Sequence, residues 1–311
     1  MAEAPDTIVL IHGLWMTPRS WEHWAERYRS KGYNVLAPAW PGMEGEVEAI
    51  NADPSVLEGL DVETIVDHYQ GIIGDLSSPP IIMGHSFGGG FTQILLDRGA
   101  GAAGVGLAPA TVKGVRDLPL STVRAASPLL AHPFKKYGGL DEKQFHYAFA
   151  NTLSQEESDK IRDRYAVPGP AEVLREGAFA NFMRHAAMSV DFENASRAPM
   201  LFIAFSEDHV VPPKPIQHMA EKYTAIPRRV QGVPGTAALP RRGGLGRGRR
   251  LRARLGRSTC KDTGGSLGTN PVGELNEGGG RTVRRRMRGR RRHSGGQRHS
   301  PDGGSRLDPT P

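Results

Sequence analysis

Along the first 230 residues or so, continuous apolar runs alternate with stretches in which apolar residues recur every three or four positions. Thr7-Ile8-Val9-Leu10-Ile11 predicts a buried strand and ends in His12-Gly13-Leu14-Trp15. Residues 17–31 carry Trp21, Trp24, Ala25 and Tyr28 on one helical face and stop at Gly32, which predicts a helix. Tyr33-Asn34-Val35-Leu36-Ala37 predicts a second strand, closed by Pro38. Ile65, Val66, Tyr69, Ile72 and Ile73 mark an amphipathic helix over residues 60–76, and Ile81-Ile82-Met83 a third strand. A helix over 87–98, a short strand at 105–107, the run Met200-Leu201-Phe202-Ile203-Ala204-Phe205 and a helix over 213–223 complete the series. Strands alternating with helices predict an α/β fold with a doubly wound, mostly parallel sheet. Between the last two strands, residues 112–198 hold prolines and helical patterns, with Leu129, Leu130, Phe134, Phe145, Tyr147, Phe149, Phe179, Phe182 and Met183 among their apolar members. Such an insertion at the carboxyl edge of a sheet is placed to be a lid over a site there, or else is a plain helical layer.

The third strand runs into Gly84-His85-Ser86-Phe87-Gly88-Gly89-Gly90 and then into a helix. Strand, tight turn and helix in that order are what a G-x-S-x-G nucleophile elbow requires. The serine of such a turn sits in strained backbone, and Gly84 and Gly88 leave room for the chain to pass close beside it. The helix that opens behind Ser86 favours negative charge at its N-terminus.

Charge divides the chain near residue 227. Residues 1–227 carry 19 Lys+Arg against 28 Asp+Glu, whereas residues 228–311 carry 21 against 5. The overall +7 is therefore a property of the C-terminal part, and the acidic body argues against nucleic acid as its partner. Residues 228–311 also hold 19 glycines and no Phe, Trp or Tyr, too little apolar surface to offset ordering entropy, which predicts a disordered basic tail. The single cysteine, Cys260, excludes an intramolecular disulfide. The absence of a charged-then-apolar leader and of any run of membrane-spanning length leads to the expectation of a cytoplasmic protein with no membrane partner.

Taken together, His12-Gly13-Leu14-Trp15, the elbow, and Ser206-Glu207-Asp208-His209-Val210-Val211-Pro212 resemble the α/β-hydrolase family, in its compact esterase- and lipase-like form, over residues 7 to about 225. The resemblance implies Ser86 as nucleophile and Asp208, just past a buried strand, as the acid that orients a histidine base; Glu207 competes for that place, and a surface loop aspartate is the plain alternative. It implies oxyanion stabilisation by the backbone N–H of Phe87 and by that of Leu14 or Trp15, where loss of one donor costs about 10²–10³ in rate. His12 and Gly13 would fix the loop, and Gly84, His85 and Gly88 the elbow. The other family position for the acid reads Ala108-Pro109-Ala110 and offers no carboxylate. No cofactor and no metal are implied, and the partner is a small-molecule substrate, apolar by the Phe and Leu content of the insertion. Ester hydrolysis is the leading expectation. Perhydrolysis of the cofactor-free haloperoxidase type uses the same constellation, and a hydrolase fold without activity could serve as a binding protein.

The family's base comes some 25–35 residues after the acid. Here the window of 233–243 reads Val-Pro-Gly-Thr-Ala-Ala-Leu-Pro-Arg-Arg-Gly, without histidine. His209 adjoins Asp208, His218 lies on the next helix, and His293 and His299 belong to the tail. The genetic code suggests a cause. Degenerate codons for Val233 to Pro240, read one base later, permit Phe-Pro-Gly-Arg-Pro-His-Phe. Those for Leu245 to Arg257 permit Trp-Asp-Glu-Val-Ala-Asp-Tyr-Ala-Leu-Asp-Trp-Ala, an amphipathic helix of the kind that closes such a fold. The expectation is that residues from about 228 are an out-of-frame translation, with the shift between Tyr223 and Val230, and that the fold is truncated before its last strand and helix. The rival reading is a genuine Arg/Gly-rich arm for nucleic acid, with Arg284 to Arg292 as its densest run, but it lacks aromatic stacking platforms.

Overall fold

The computed structural model describes residues 4–130 and 134–238, without the side chains of Pro128 and Leu129. From 239 onward the expected basic tail, including Cys260 and the shifted-reading helix, lies outside the described residues. The elements in order are β1 (Thr7–Ile11), α1 (Glu22–Arg29), β2 (Asn34–Leu36), α2 (Val47–Ala52), α3 (Val62–Gly74), β3 (Ile81–His85), α4 (Phe87–Asp97) and β4 (Ala103–Leu107). They continue with α5 (Leu120–Leu130), β5 (Tyr137–Gly138), α6 (Glu142–Phe149), α7 (Gln155–Tyr165), β6 (Gly169–Pro170), α8 (Ala171–Phe179), β7 (Met200–Phe205), α9 (Pro213–Lys222) and β8 (Arg228–Val233).

Six strands form one parallel sheet in the order β2-β1-β3-β4-β7-β8. Its interior strands read as unbroken apolar runs because helices or loops cover both faces, and every residue of β1 is buried. The chain moves from β1 outward to β2 and then returns to the other side of β1 as β3, so the order reverses between β1 and β3. With right-handed crossovers, α1 lies on one face and α3, α4 and α9 on the other. The loops leaving β1 and β3 therefore splay apart at their carboxyl ends, where open α/β sheets carry their crevice.

Local chemistry accounts for the main helices. Asp61 caps α3 by accepting from the Thr64 N–H at 2.8 Å, and Val62, Ile65, Val66, Tyr69 and Ile73 supply its buried face. Helix α4 is buried over residues 87–96, held between the sheet and the segment after β4. The first predicted helix begins instead as a 3₁₀ turn, Pro18–Trp21, because Pro18 and the Thr17 cap favour a tight first turn.

The insertion between β4 and β7 consists of α5 to α8 and the two-stranded β5-β6 ribbon. It is tied to the body by polar contacts: Trp15 Nε1 donates to the Gly138 carbonyl at 2.9 Å, and the Val167 N–H to the Trp15 carbonyl at 3.1 Å. The Val62 N–H donates to Glu176 at 2.7 Å, and Arg164 pairs with Glu22 at 2.7 Å. The insertion thus covers the loop after β1 as a helical layer. Its apolar residues divide: Phe145 and Phe149 are buried, whereas Phe134 and Phe182 are exposed.

Two expectations require correction. The sheet does not stop at residue 227, because Arg228–Val233 pairs with β7 along its whole length, from Met200↔Arg228 to Phe205↔Val233. An edge strand needs only one paired side, so its two arginines and glycine do not prevent it from borrowing the β7 ladder. The last strand is therefore present, and any truncation of the fold falls beyond Val233. The short helix α2, with Val47 and Ile50 buried one turn apart, was also not expected.

Candidate active site

Ser86 stands at the turn between β3 and α4 with φ 52 and ψ −120, a conformation that side-chain-bearing residues adopt only when their surroundings enforce it. The enforcement is visible. The Ser86 N–H donates to the Leu107 carbonyl at 3.0 Å, and its own carbonyl accepts from the N–H groups of Gly89, Gly90 and Ala110 at 2.9, 3.1 and 2.8 Å. The turn is tight enough that a methyl on Gly84 would lie 2.0 Å from the Gly88 carbonyl oxygen, and one on Gly88 would lie 2.2 Å from that of Ile11. Only glycine fits either position.

The loop after β1 runs alongside. A methyl on Gly13 would stand 2.9 Å from the Ser86 Cβ. Trp15 has φ 65, so the backbone of this loop turns sharply just after Gly13. The Phe87 N–H is the first of that helix and among those left without an intrahelical acceptor. His12 is buried, stacked on Trp40 at 4.8 Å; its Nε2 accepts from the Trp40 N–H at 3.3 Å and its Nδ1 donates to the Gly13 carbonyl at 3.1 Å. Burial lowers it to about 4, so it stays neutral. His85 is likewise held near 4 by burial, and its Nε2 donates to the Ala238 carbonyl at 2.8 Å. His12 thus has both ring nitrogens engaged, His85 spends its Nε2–H on Ala238, and no described side chain hydrogen-bonds to Ser86 Oγ.

Asp208 lies just after β7 and is only 3% exposed. Its Oδ1 accepts from the N–H groups of Val210 and Val211, both at 2.8 Å, and its Oδ2 is inaccessible to solvent with no hydrogen-bond partner among the described residues. Burial without a cation raises its carboxyl from 3.8 to about 7, the two backbone N–H groups only partly opposing the rise. Glu207, the competing acid, is exposed and takes the Ser206 hydroxyl at 2.9 Å. His209 is committed to the insertion: Nδ1 lies 2.9 Å from the Tyr147 carbonyl, Nε2 3.3 Å from the Asn151 amide, and its ring 4.4 Å from that of Tyr147. His218, on α9, pairs with Asp117 at 2.8 Å. The structure thus gathers the β1 loop and the elbow, buries Asp208, and among the described residues gives neither Ser86 nor Asp208 an imidazole partner.

A model of the Alpha/beta hydrolase family matches residues 8–241. The chain belongs to that family. Solved structures with the same fold as this chain include a monoacylglycerol lipase from Paleococcus ferrophilus, at 20% identity over 81% of this chain and 95% of that one, with a TM-score of 0.56. An extracellular alpha/beta-hydrolase from a Paenibacillus species shares 18% identity over 80% and 99% of the two chains, TM-score 0.56. A pyrethroid hydrolase from Sphingobium faniae JZ-2 shares 17% over 82% and 99%, TM-score 0.55. Among curated proteins, none matches the chain in sequence. No helix among its described residues is long and apolar enough to cross a membrane, and no three described His, Cys, Asp or Glu side chains cluster as a metal site would need.

Proposed function

We propose that this hydrolase acts on small apolar esters through Ser86, with Asp208 as the acid partner and with a transfer rate limited by the missing base. The observation that carries the reading is Ser86 itself: a non-glycine residue at φ 52, pinned by four backbone hydrogen bonds at the head of a buried helix. Strain of this kind costs about 1–3 kcal/mol and persists where function needs it. In the reaction, Ser86 Oγ attacks the carbonyl carbon, and the oxyanion that forms is received by the Phe87 N–H and that of Leu14 or Trp15. The alcohol departs with a proton, and water then releases the acid and restores the hydroxyl. Without an imidazole, the Ser86 proton must pass to water or hydroxide, so turnover falls several orders of magnitude below that of a complete triad. Trp15 packs edge-on against Phe149 at 6.0 Å, which in turn stacks on Phe145, and these rings favour an apolar acyl or alcohol group.

The lack of a histidine in the window 233–243 also favours a second reading, a hydrolase fold kept as a binding protein. A fluorophosphonate probe separates the two. Slow labelling at Ser86, lost in Ser86→Ala, supports the enzyme reading, and no labelling of the folded chain over a day refutes it.

A further inference from the structure

We propose that Ala238 occupies the seat of the missing base, so that a histidine at this one position would join Ser86 to Asp208 and turn the chain into a working hydrolase. The inference rests on the reading of Ser86 as nucleophile.

The path of the backbone after β8 places residue 238. The Ser206 N–H donates to the Val233 carbonyl at 3.1 Å, the Gly235 N–H to Ser206 Oγ at 2.8 Å, and the Glu207 N–H to the Thr236 carbonyl at 3.1 Å. The segment thus tracks the loop that leads to Asp208, one residue short of it. Two residues later the Ala238 carbonyl accepts from His85, the neighbour of Ser86. Residues 236–238 therefore run from the residue before the acid to the ring of the residue before the nucleophile, and Ala237 and Ala238 are each 2% exposed at the end of that run. A second observation is independent of the path. Asp208 Oδ2 is a buried acceptor without a donor, the one carboxylate oxygen among eight buried side-chain atoms left unpartnered in the described residues. Its sister oxygen is fully engaged by Val210 and Val211, so the lack is confined to the atom that would receive an imidazole N–H. A third comes from the codons. In the reading displaced by one base, Val233 to Leu239 permit Phe-Pro-Gly-Arg-Pro-His-Phe, and the histidine falls at the place of Ala238. The path of the chain and the displaced reading select the same residue. We accordingly assign the loss of the base to an out-of-frame translation beginning between Tyr223 and Val230.

The test compares hydrolysis of p-nitrophenyl butyrate by the full chain, by Ala238→His and by Ala237→His, each with and without Ser86→Ala. Ala238→His is expected to raise kcat/KM about 10²–10⁴-fold, the usual worth of a positioned base. The rise should disappear with Ser86→Ala and with Asp208→Asn. It should bring an imidazole-dependent rise in rate through neutral pH that Asp208, at about 7 in the parent, does not produce alone; His12 and His85, the other imidazoles at the elbow, are held near 4 and add none there. An equal gain from Ala237→His, or no gain from Ala238→His while the fluorophosphonate still labels Ser86 at the parent rate, overturns the assignment and leaves the nucleophile standing. If no folded variant labels at Ser86, the nucleophile itself is refuted, and the assignment with it. Should Ala238→His fail to fold, the chain with its reading corrected by one base takes its place. Alanine at position 238 of that chain is expected to cost about 10²–10⁴-fold, and a cost under about tenfold overturns the assignment.

Discussion

Replacing Asp208 by asparagine should stabilise this protein, and by an amount that depends on pH. The carboxyl rises from 3.8 to about 7 because it is buried without a cation. At about 1.36 kcal/mol per unit, the ionised form is disfavoured in the folded state by about 4 kcal/mol. Proton counting sets the sign. Between 3.8 and about 7 the folded chain holds a proton that the unfolded chain has released, so stability from this group is full below 3.8 and falls as pH rises through about 7. Asparagine keeps the acceptor for Val210 and Val211 but cannot ionise, and its amide meets the same unpartnered space as the protonated carboxyl. Asp208→Asn is therefore expected to match the parent near about pH 4 and to exceed it by about 2–4 kcal/mol near about pH 8. His12 and His85 act in the opposite direction: burial lowers both to about 4, so each costs stability as pH falls below 6.5. They are common to both proteins and cancel in the difference. Urea unfolding monitored by tryptophan fluorescence, with Trp40 fully buried, gives that difference across the range. A difference that does not change with pH, or an asparagine variant weaker than the parent near pH 8, would refute the picture of an unpaired buried carboxylate. In the Ala238→His background the gain should shrink, because an imidazolium then stabilises the ionised form.

Three further outcomes are expected. Ser86→Gly should stabilise the fold by about 1–2 kcal/mol relative to Ser86→Ala, since glycine relieves the strain at φ 52; equal melting temperatures would argue against stored strain there. Gly84→Ala should cost more than about 4 kcal/mol or abolish soluble expression, because its methyl would meet the Gly88 carbonyl oxygen at 2.0 Å, and a variant that melts within a few degrees of the parent refutes this. Arg197 pairs with Asp97 at 2.7 Å, reaches the Gln93 carbonyl at 3.3 Å and lies 4.8 Å over the Tyr223 ring. Arg197→Met should fall at the low end of about 3–5 kcal/mol in urea unfolding, because Asp97 keeps Asn194 and the Asp191 N–H.

How far each element is legible in the sequence depends on where its stabilising contacts come from. Met200–Phe205 reads directly as a strand because parallel, doubly covered strands are continuously apolar, and the elbow is legible because its glycines are imposed by close backbone contacts at and around Ser86. β4 is longer than its apolar core suggests, since Gly104 and Gly106 conceal the alternation. Arg228–Val233 escapes a reading by pattern because its pairing is dictated by β7 and not by its own side chains. The candidate site divides in the same way. Ser86 and Asp208 are marked by local motifs, and the absence of a histidine is plain from the window 233–243. Which position in that window faces the site depends on long-range hydrogen bonds to Ser206, Glu207 and His85, and these exist only in the folded chain.

The measurement closest to the central claim is intact-mass analysis of the full chain during reaction with p-nitrophenyl acetate. A nucleophile without a base should acetylate slowly and then stay acetylated, because water attack on the acyl-enzyme needs the same missing imidazole. One acetyl group is expected, mapped to Ser86 and absent in Ser86→Ala. Sustained turnover with no acetyl-enzyme, or acetylation elsewhere with Ser86 unmodified, would contradict the assignment of Ser86 as a nucleophile that lacks its base.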